Sequence, residues 1–213
     1  LHTAWTAGLD RPVSGFGPPE IAAIWRQFCA MMQFDIATRM ADEGRVPFAA
    51  IAQINIIDAK TPDPIRLVDE NGLTVSAMRN DHPPVVDSYA LRFDADVKSV
   101  TFSGDTRYLP SLAVFAKNTD VLVHEAMLAK GLDYVLAKTK TGDDRLKNHL
   151  LAAHSFAEQA GQIAASANVG HLVLNHLIPP ERDICSDADW QAETRRNFDG
   201  PCLVGHDGMV IEF

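Results

Sequence analysis

The sequence predicts a mixed α/β (α+β) fold, in which helices cover a mixed β-sheet. Short strand-like runs separated by Pro- and Asp-rich breaks occupy the middle of the chain, and strands alternate with helices beyond residue 120. Of the 213 residues, 46% are hydrophobic and 22% are charged, which excludes a disordered, collagenous or coiled-coil chain. No run of about 18 apolar residues is present, so we predict no membrane-spanning helix.

The individual elements follow from local patterns. An apolar segment closed by Gly8 predicts a helix end in residues 1–9, and residues 11–16 form a strand-like run. Apolar residues at three- and four-residue steps predict one long helix from Pro19 to about Met40. Short apolar runs predict strands at 51–57, 65–68, 73–78, 89–93, 97–102, 121–124 and 171–175. Helices are predicted at 154–167 and 187–198, and a closing hairpin at 204–211.

Charge and cysteine content exclude several function classes. The formal net charge is −9, which disfavours a nucleic-acid-binding protein unless a local basic patch reverses the balance. The three cysteines, Cys29, Cys185 and Cys202, are odd in number, far apart and outside any CxxC motif. We therefore predict neither a disulfide framework nor a thiolate zinc site.

Three residues with metal-ligand chemistry follow predicted strands. His82 stands in a His-Pro-Pro turn, Asp105 comes after Gly104 at a strand end, and His176 ends the apolar run 172–174. Imidazole and carboxylate groups at strand ends are well placed to hold a metal ion on a rigid base. Each residue taken alone also fits a structural role, as a loop histidine, a turn aspartate or a strand-end histidine.

Three further polar residues are candidates for the reaction itself. His124 and Glu125 follow the strand 121–123, and His154 is predicted to open the helix 154–167. At a helix N-terminus, His154 would face a position that favours anionic groups. A purely structural role fits His154 equally well on the local sequence.

The order of the motifs carries more information than any one of them. GFGP, DHPP, SGDT, LVHEA, HSFAEQA and LVLNHLIPP follow one another along the chain. In this order they resemble the metallo-β-lactamase superfamily over residues 10–180, in the branch of ribonuclease Z and the arylsulfatase-like hydrolases. The resemblance implies a four-layer αβ/βα sandwich, one metallo-β-lactamase-like domain over residues 1–213, and two zinc ions that activate a hydroxide. Manganese or iron would suit the same nitrogen and oxygen ligands.

The resemblance also assigns roles to three of the six candidate residues. It implies that His82, Asp105 and His176 are metal ligands, and that Asp105 bridges both ions. We further expect that His154 stabilises developing charge or donates a proton to the leaving oxygen, while His124 and Glu125 orient a metal ligand or His154.

One departure from the family pattern is large. The HxHxDH motif, which supplies further ligands in the family, does not occur in these residues, and the first residue is Leu1 rather than Met. We therefore expect this chain to be the C-terminal portion of a longer protein, with the N-terminal portion of the fold missing.

Three functions remain open at this stage. Ribonuclease Z trims the 3′ end of precursor tRNA, but Met127 and Phe156 replace threonines of its motifs, and residues 19–60 contain no basic arm. The sequence therefore favours a hydrolase of a small ester: a phosphodiester, a sulfate ester or a lactone. A ribonuclease Z-type tRNA 3′-end endonuclease and a non-catalytic binding protein are the alternatives.

Partners and location are expected from the same evidence. We expect a small-molecule ester as substrate, no membrane partner and, by resemblance, a homodimer, while the charge disfavours nucleic acid. The apolar residues of the predicted helix 19–41 would form a lid over the site, part of the core or a dimer surface. The cytoplasm is the favoured compartment, and the periplasm or secretion is compatible with an upstream segment.

Overall fold

The computed structural model describes residues 1–58, 63–139 and 142–213. The chain divides into two compact units, residues 1–58 and 59–213. The single metallo-β-lactamase-like domain over residues 1–213 stays a prediction. None of the helices among the described residues is both long and apolar enough to cross a bilayer.

The first unit is small and built around one aromatic cluster. Its elements are α1 (His2–Thr6), β1 (Val13–Gly17), α2 (Ile21–Met31), α3 (Gln33–Asp42), a 3-10 turn (Phe48–Ala50) and β2 (Ala52–Ile56). Strands β1 and β2 pair in parallel. Trp5, Phe48 and Ile51 are buried together, and the indole N–H of Trp5 donates to the carbonyl of Val46 at 2.9 Å.

The single long helix predicted from Pro19 to Met40 is wrong, because the structure forms two helices that meet at Met32. The apolar steps continue across this residue, and neither Gly nor Pro marks the break. Trp25 and Phe28 pack against the aromatic core of the unit, whereas Phe34 is 87% exposed. Some apolar residues of the predicted helix 19–41 are therefore part of the core, which is one of the three roles expected for them.

The second unit contains a seven-stranded mixed sheet. The strands are β3 (Ile65–Glu70), β4 (Leu73–Arg79), β5 (Tyr89–Ala95), β6 (Lys98–Phe102), β7 (Val121–Met127), β8 (His171–Ile178) and β9 (Cys202–Val204), and they lie in this order across the sheet. Pairs from β3 to β6 are antiparallel, and pairs from β6 to β9 are parallel. The predicted mixed α/β class is confirmed.

The second unit also contains several helices. They are α4 (Ser111–Phe115), α5 (Ala129–Thr139), α6 (Arg145–Ala153), α7 (Ala157–Ala167) and α8 (Asp187–Thr194). Leu112, Ile163 and Trp190 from α4, α7 and α8 are buried with Leu122 and Leu174 of the central strands. Apolar burial of this kind is the main favourable contribution to folding, at about 25 cal/mol per Å².

Two further predictions of local structure need correction. The hairpin predicted at 204–211 is wrong, since only the short strand Cys202–Val204 forms. Gly208, at φ +78°, and the bond from the Met209 N–H to the His206 carbonyl make the expected turn, but no strand follows it. Helices α4, α5 and α6 were not predicted.

Strand direction decides where the functional residues meet. Because β4 is antiparallel to β5, and β5 to β6, strand β4 runs in the same direction as β6, β7 and β8. The carboxyl ends of these four strands therefore lie at one edge of the sheet. Ligand sites of open α/β sheets form at such edges.

Candidate functional site

Asp105 and His176 meet at this edge. The Oδ2 atom of Asp105 lies 3.4 Å from the Nε2 atom of His176, and both side chains are partly exposed. With ligand distances of about 2.0–2.2 Å and tetrahedral angles, two ligand atoms of one zinc ion lie about 3.4 Å apart. The pair therefore has the separation that a shared metal ion requires.

Gly104 explains how Asp105 reaches this position. Gly104 has a φ of +60°, and a Cβ atom there would lie 2.6 Å from the carbonyl oxygen of Tyr89 and 2.8 Å from the Nδ2 of Asn80. Asn80 in turn donates this Nδ2–H to the carbonyl of Ser103 at 2.7 Å. Only glycine fits between these groups, so the turn after β6 is fixed and directs Asp105 to the sheet edge.

A bulge in strand β8 presents His176. Glu125 of β7 pairs with Asn175 and the next residue, Ala126, pairs with Leu177, so His176 has no partner in the ladder. His176 also has a φ of +41°, which is rare for a residue with a side chain. β-bulges redirect single side chains, often next to active sites, and this one turns His176 out of the strand.

His82 is held by the end of helix α6. Its Nδ1 atom lies 3.0 Å from the carbonyl oxygen of Ala153, to which a protonated Nδ1 donates. This bond leaves Nε2 as the acceptor nitrogen, which is the form that binds a metal.

His154 lies next to His82 but does not open a helix as predicted. It follows α6 directly, with extended backbone angles, and α7 begins at Ala157 after Phe156. The His154 ring is buried, 5.1 Å from the His82 ring and 5.5 Å from the His176 ring between centroids. His154 therefore does not lie at a helix N-terminus, although the residue is at the site.

Glu125 is buried, and its carboxylate contacts several groups of the site. Its Oε1 atom accepts hydrogen bonds from the backbone N–H groups of Thr106, at 2.9 Å, and Ser155, at 3.1 Å, and lies 3.2 Å from Nδ1 of His154. Its Oε2 atom is buried and has no hydrogen-bond partner in the part of the chain described. Three donors from two segments of the chain converge on one carboxylate oxygen, so Glu125 fixes both the ring of His154 and the adjoining loops.

His124 lies apart from this cluster. Alternation along β7 places its side chain with Leu122 and Ala126, on the side of the strand opposite Glu125. Its Nδ1 lies 2.6 Å from the carbonyl oxygen of Glu125, and burial lowers the pKa of His124. Among the described residues, the neutral His124 is thus linked to the site through its hydrogen bond with the backbone carbonyl of Glu125.

The structure adds one histidine that the sequence did not single out. His149 of α6 lies with its ring centroid 5.7 Å from those of both His82 and His154. One nitrogen of each of the three rings lies within 4.8 Å of the other two. No spacing rule signals this, because His149 and His154 are five residues apart and His82 belongs to a distant segment.

The donor set fits a metal ion of the zinc class. Imidazole and carboxylate groups converge, two of the histidines have one ring nitrogen tied to a carbonyl or carboxylate, and none of the three cysteines is among them. The structure brings together five of the six predicted residues: His82, Asp105, Glu125, His154 and His176. Their individual roles stay predictions.

Comparison with known sequences finds proteins named ribonuclease Z that are similar to this chain. No family model matches the chain. A putative ribonuclease Z from Mycobacterium tuberculosis (strain CDC 1551) is 28% identical over 223 aligned residues, which cover 100% of this chain and 90% of that protein.

Comparison with solved structures agrees on the fold. The metallo-β-lactamase fold protein YhfI from Bacillus subtilis superposes with a TM-score of 0.63 at 18% identity, over 99% of this chain and 69% of that chain. Zn²⁺-bound PqqB from Methylobacterium extorquens gives a TM-score of 0.62 at 14% identity, over 100% of this chain and 69% of that chain. The fold is that of the metallo-β-lactamases.

Proposed function

We propose that the chain is a metal-dependent hydrolase of the metallo-β-lactamase superfamily and that it cleaves phosphodiesters as a ribonuclease Z-type endonuclease at the 3′ end of precursor tRNA. The observation that carries this proposal is the meeting of Asp105, His176, His154 and Glu125 at one sheet edge. The putative ribonuclease Z from M. tuberculosis, aligned over the whole chain, supports the choice of substrate.

The residues of this chain that would hold the metal are His82, Asp105 and His176. Their nitrogen and oxygen donors suit zinc, and the Asp105–His176 separation of 3.4 Å suits a shared ion. When bound, the metal would supply Lewis-acid stabilisation of negative charge and lower the pKa of water for attack on phosphorus.

His154 is the residue that would act on the leaving group. The carboxylate of Glu125 holds its Nδ1 at 3.2 Å, so Nε2 is the nitrogen left to carry a proton for the leaving oxygen. Glu125 acts through His154 and is a positioning residue. Since Ser155 and Thr106 bond the same oxygen, the position of His154 is coupled to the loops on either side.

A hydrolase of small esters is the second candidate. The net charge of −9 and the lack of a basic arm in residues 19–60 favour it over a tRNA substrate. A groove of about 480 Å³ next to His176, lined by Val123, Val173, Arg182 and Met209 among others, has the volume of a small-ligand site.

Cleavage of a precursor tRNA with a 3′ trailer distinguishes the two candidates. We expect the zinc-loaded protein to release the trailer and leave the tRNA body intact. Cleavage of bis(p-nitrophenyl) phosphate alone, with intact precursor, would favour the small-ester hydrolase. Absence of turnover on the precursor, phosphodiesters, sulfate esters and lactones would support the non-catalytic alternative.

Substitution of Asp105 tests the metal ligands. Because the resemblance implies that Asp105 would hold both metal ions, Asp105→Ala is expected to lose both of them and to lose activity with them. Asp199→Ala, in an exposed loop near the C-terminus, is the matched control and should keep both. Metal-to-protein ratios from elemental analysis decide the matter, and retention of two ions by Asp105→Ala would contradict the bridging role.

A further inference from the structure

His149 has a geometry that the proposed reaction does not use. It lies on α6 four residues before Ala153, and residues four apart share one face of a helix. The Ala153 carbonyl accepts the hydrogen bond from Nδ1 of His82 at 3.0 Å. The same helix therefore holds His82 in place and presents His149 beside it.

The three rings form a near-equilateral group. Centroid separations are 5.1 Å between His82 and His154, and 5.7 Å from His149 to each of them, with all three pairs edge to face. His82 and His154 each have one ring nitrogen within hydrogen-bond distance of a neighbouring oxygen, and in the described part of the chain the other nitrogen makes no hydrogen bond. Neither ring nitrogen of His149 makes a hydrogen bond within the described residues.

From this geometry we infer that His149 supplies an additional imidazole to the metal ion held by His82. The inference rests on the proposed metal-dependent function and deepens it. The ligand nitrogens of His82 and His149 lie within 4.8 Å of each other and need to approach by up to about 1.4 Å to reach the spacing of about 3.4 Å that tetrahedral zinc sets. Rotation of the partly exposed side chain of His149 would supply that movement, while His82 keeps its hydrogen bond to the Ala153 carbonyl and His154 stays beside Glu125.

Metal affinity in the absence of substrate is the direct test. Zn²⁺ binding is measured by competition with a chromophoric chelator for the wild type, His149→Ala and His149→Gln. Co²⁺ is then substituted and the visible absorption of each protein recorded, since its intensity and position report the ligands. The control is His171→Ala, at the start of β8 and so at the opposite end of that strand from His176.

The expected result is a loss of at least about tenfold in affinity for one metal ion in both His149 variants, with a changed Co²⁺ spectrum. His171→Ala should match the wild type in both measurements. Far-UV circular dichroism of the metal-free proteins checks that the variants fold, and the glutamine variant keeps a polar side chain of similar size.

Two outcomes would overturn the inference. Unchanged affinity and spectrum in the His149 variants would show that the imidazole is not a ligand. A raised KM with unchanged metal binding would instead make His149 a substrate contact. If the wild type itself binds no metal, the proposed function fails first, so the two failures are distinguishable.

Discussion

Glu125 shows how much of this site depends on one buried side chain. A carboxylate in the interior is costly unless donors surround it, and here Thr106, Ser155 and His154 converge on a single oxygen. The buried Oε2 atom accepts no hydrogen bond from the described residues, so the cost of burying this atom is not offset by them. We therefore expect Glu125 to serve by positioning its neighbours rather than by stabilising the fold.

Replacing Glu125 by glutamine should separate its charge from its shape. We expect kcat to fall by about 10–100-fold with little change in KM or metal content, because the amide cannot stabilise a charged His154. Steady-state kinetics across a pH series measures both parameters. The control is Glu158→Gln, whose carboxylate pairs with Arg196 outside the cluster, and an equal kcat in both variants would remove the positioning role.

His124 should make stability depend on pH. Burial lowers the pKa of His124 in the folded protein, so below about pH 6.5 the unfolded chain binds a proton that the folded chain refuses. Stability should therefore fall as the pH drops, by up to about 1.4 kcal/mol per pH unit from this group.

Urea unfolding of the metal-free protein between pH 5 and 8 measures this dependence. His124→Asn removes the titrating ring but keeps a donor for the Glu125 carbonyl. The variant should show a shallower slope than the wild type, and identical slopes would contradict the assignment.

At position 176, we expect one substitution to raise the stability of the metal-free fold and to weaken metal binding. The φ of +41° at His176 is strained for a side chain but not for glycine, so His176→Gly should stabilise the metal-free protein by about 0.5–1 kcal/mol. Metal binding should weaken in the same variant, since the imidazole is lost. Chemical denaturation compares it with His171→Gly, in the regular part of β8, which should destabilise. Destabilisation by His176→Gly would mean that the bulge is held by the imidazole.

At the scale of elements, helix α7 depends on a close approach to α8. A Cβ atom at Gly161 would lie 2.4 Å from the carbonyl oxygen of Thr194, which is backbone and cannot move aside cheaply. Gly161→Ala should therefore destabilise by about 1–3 kcal/mol, although alanine is the better helix former. Ser166→Ala, on the exposed side of the same helix, should change stability by less than about 0.5 kcal/mol. Thermal unfolding checks both, and an unchanged melting temperature for Gly161→Ala would show that the helices can separate freely.

The sequence predicted strands better than helices, for physical reasons. The runs 121–124 and 171–175 are largely apolar because both faces of a central strand are covered. This pattern can be recognised in the sequence without knowing which elements pack against the strand. Helices α4 and α6 span only five and nine residues, too few turns for a clear period. The break at Met32 has no local signal, because the apolar steps run through it.

The same difference between strands and helices determines which site residues can be predicted from the sequence. His82, Asp105 and His176 follow strands whose ends share one sheet edge, so their convergence follows from strand direction. His149 comes from a helix whose position is set only by packing. The order of the motifs along the chain indicates that the candidate residues belong to one site, which local sequence patterns do not indicate.

For the whole molecule, we expect metal binding to raise the thermal stability of the folded protein. An ion that binds only the folded state stabilises by about 2.7 kcal/mol at a hundredfold excess over Kd, which for a chain of this length raises Tm by about 5–10 °C. Calorimetry of the protein with zinc and with a chelator measures the shift. Asp105→Ala should lose most of it, whereas Asp199→Ala should keep it. A Tm that does not respond to zinc would contradict a folded-state metal site.

The bulge in β8 has a consequence for how this scaffold can change. Because His176 stands outside the ladder, Leu177 takes the pairing position opposite Ala126, and the apolar face of the strand continues without it. The chemistry at position 176 is thus uncoupled from the packing on either side. Evolution or design can exchange this one residue, and with it the metal preference or the reaction, while the alternation that folds the sheet stays as it is.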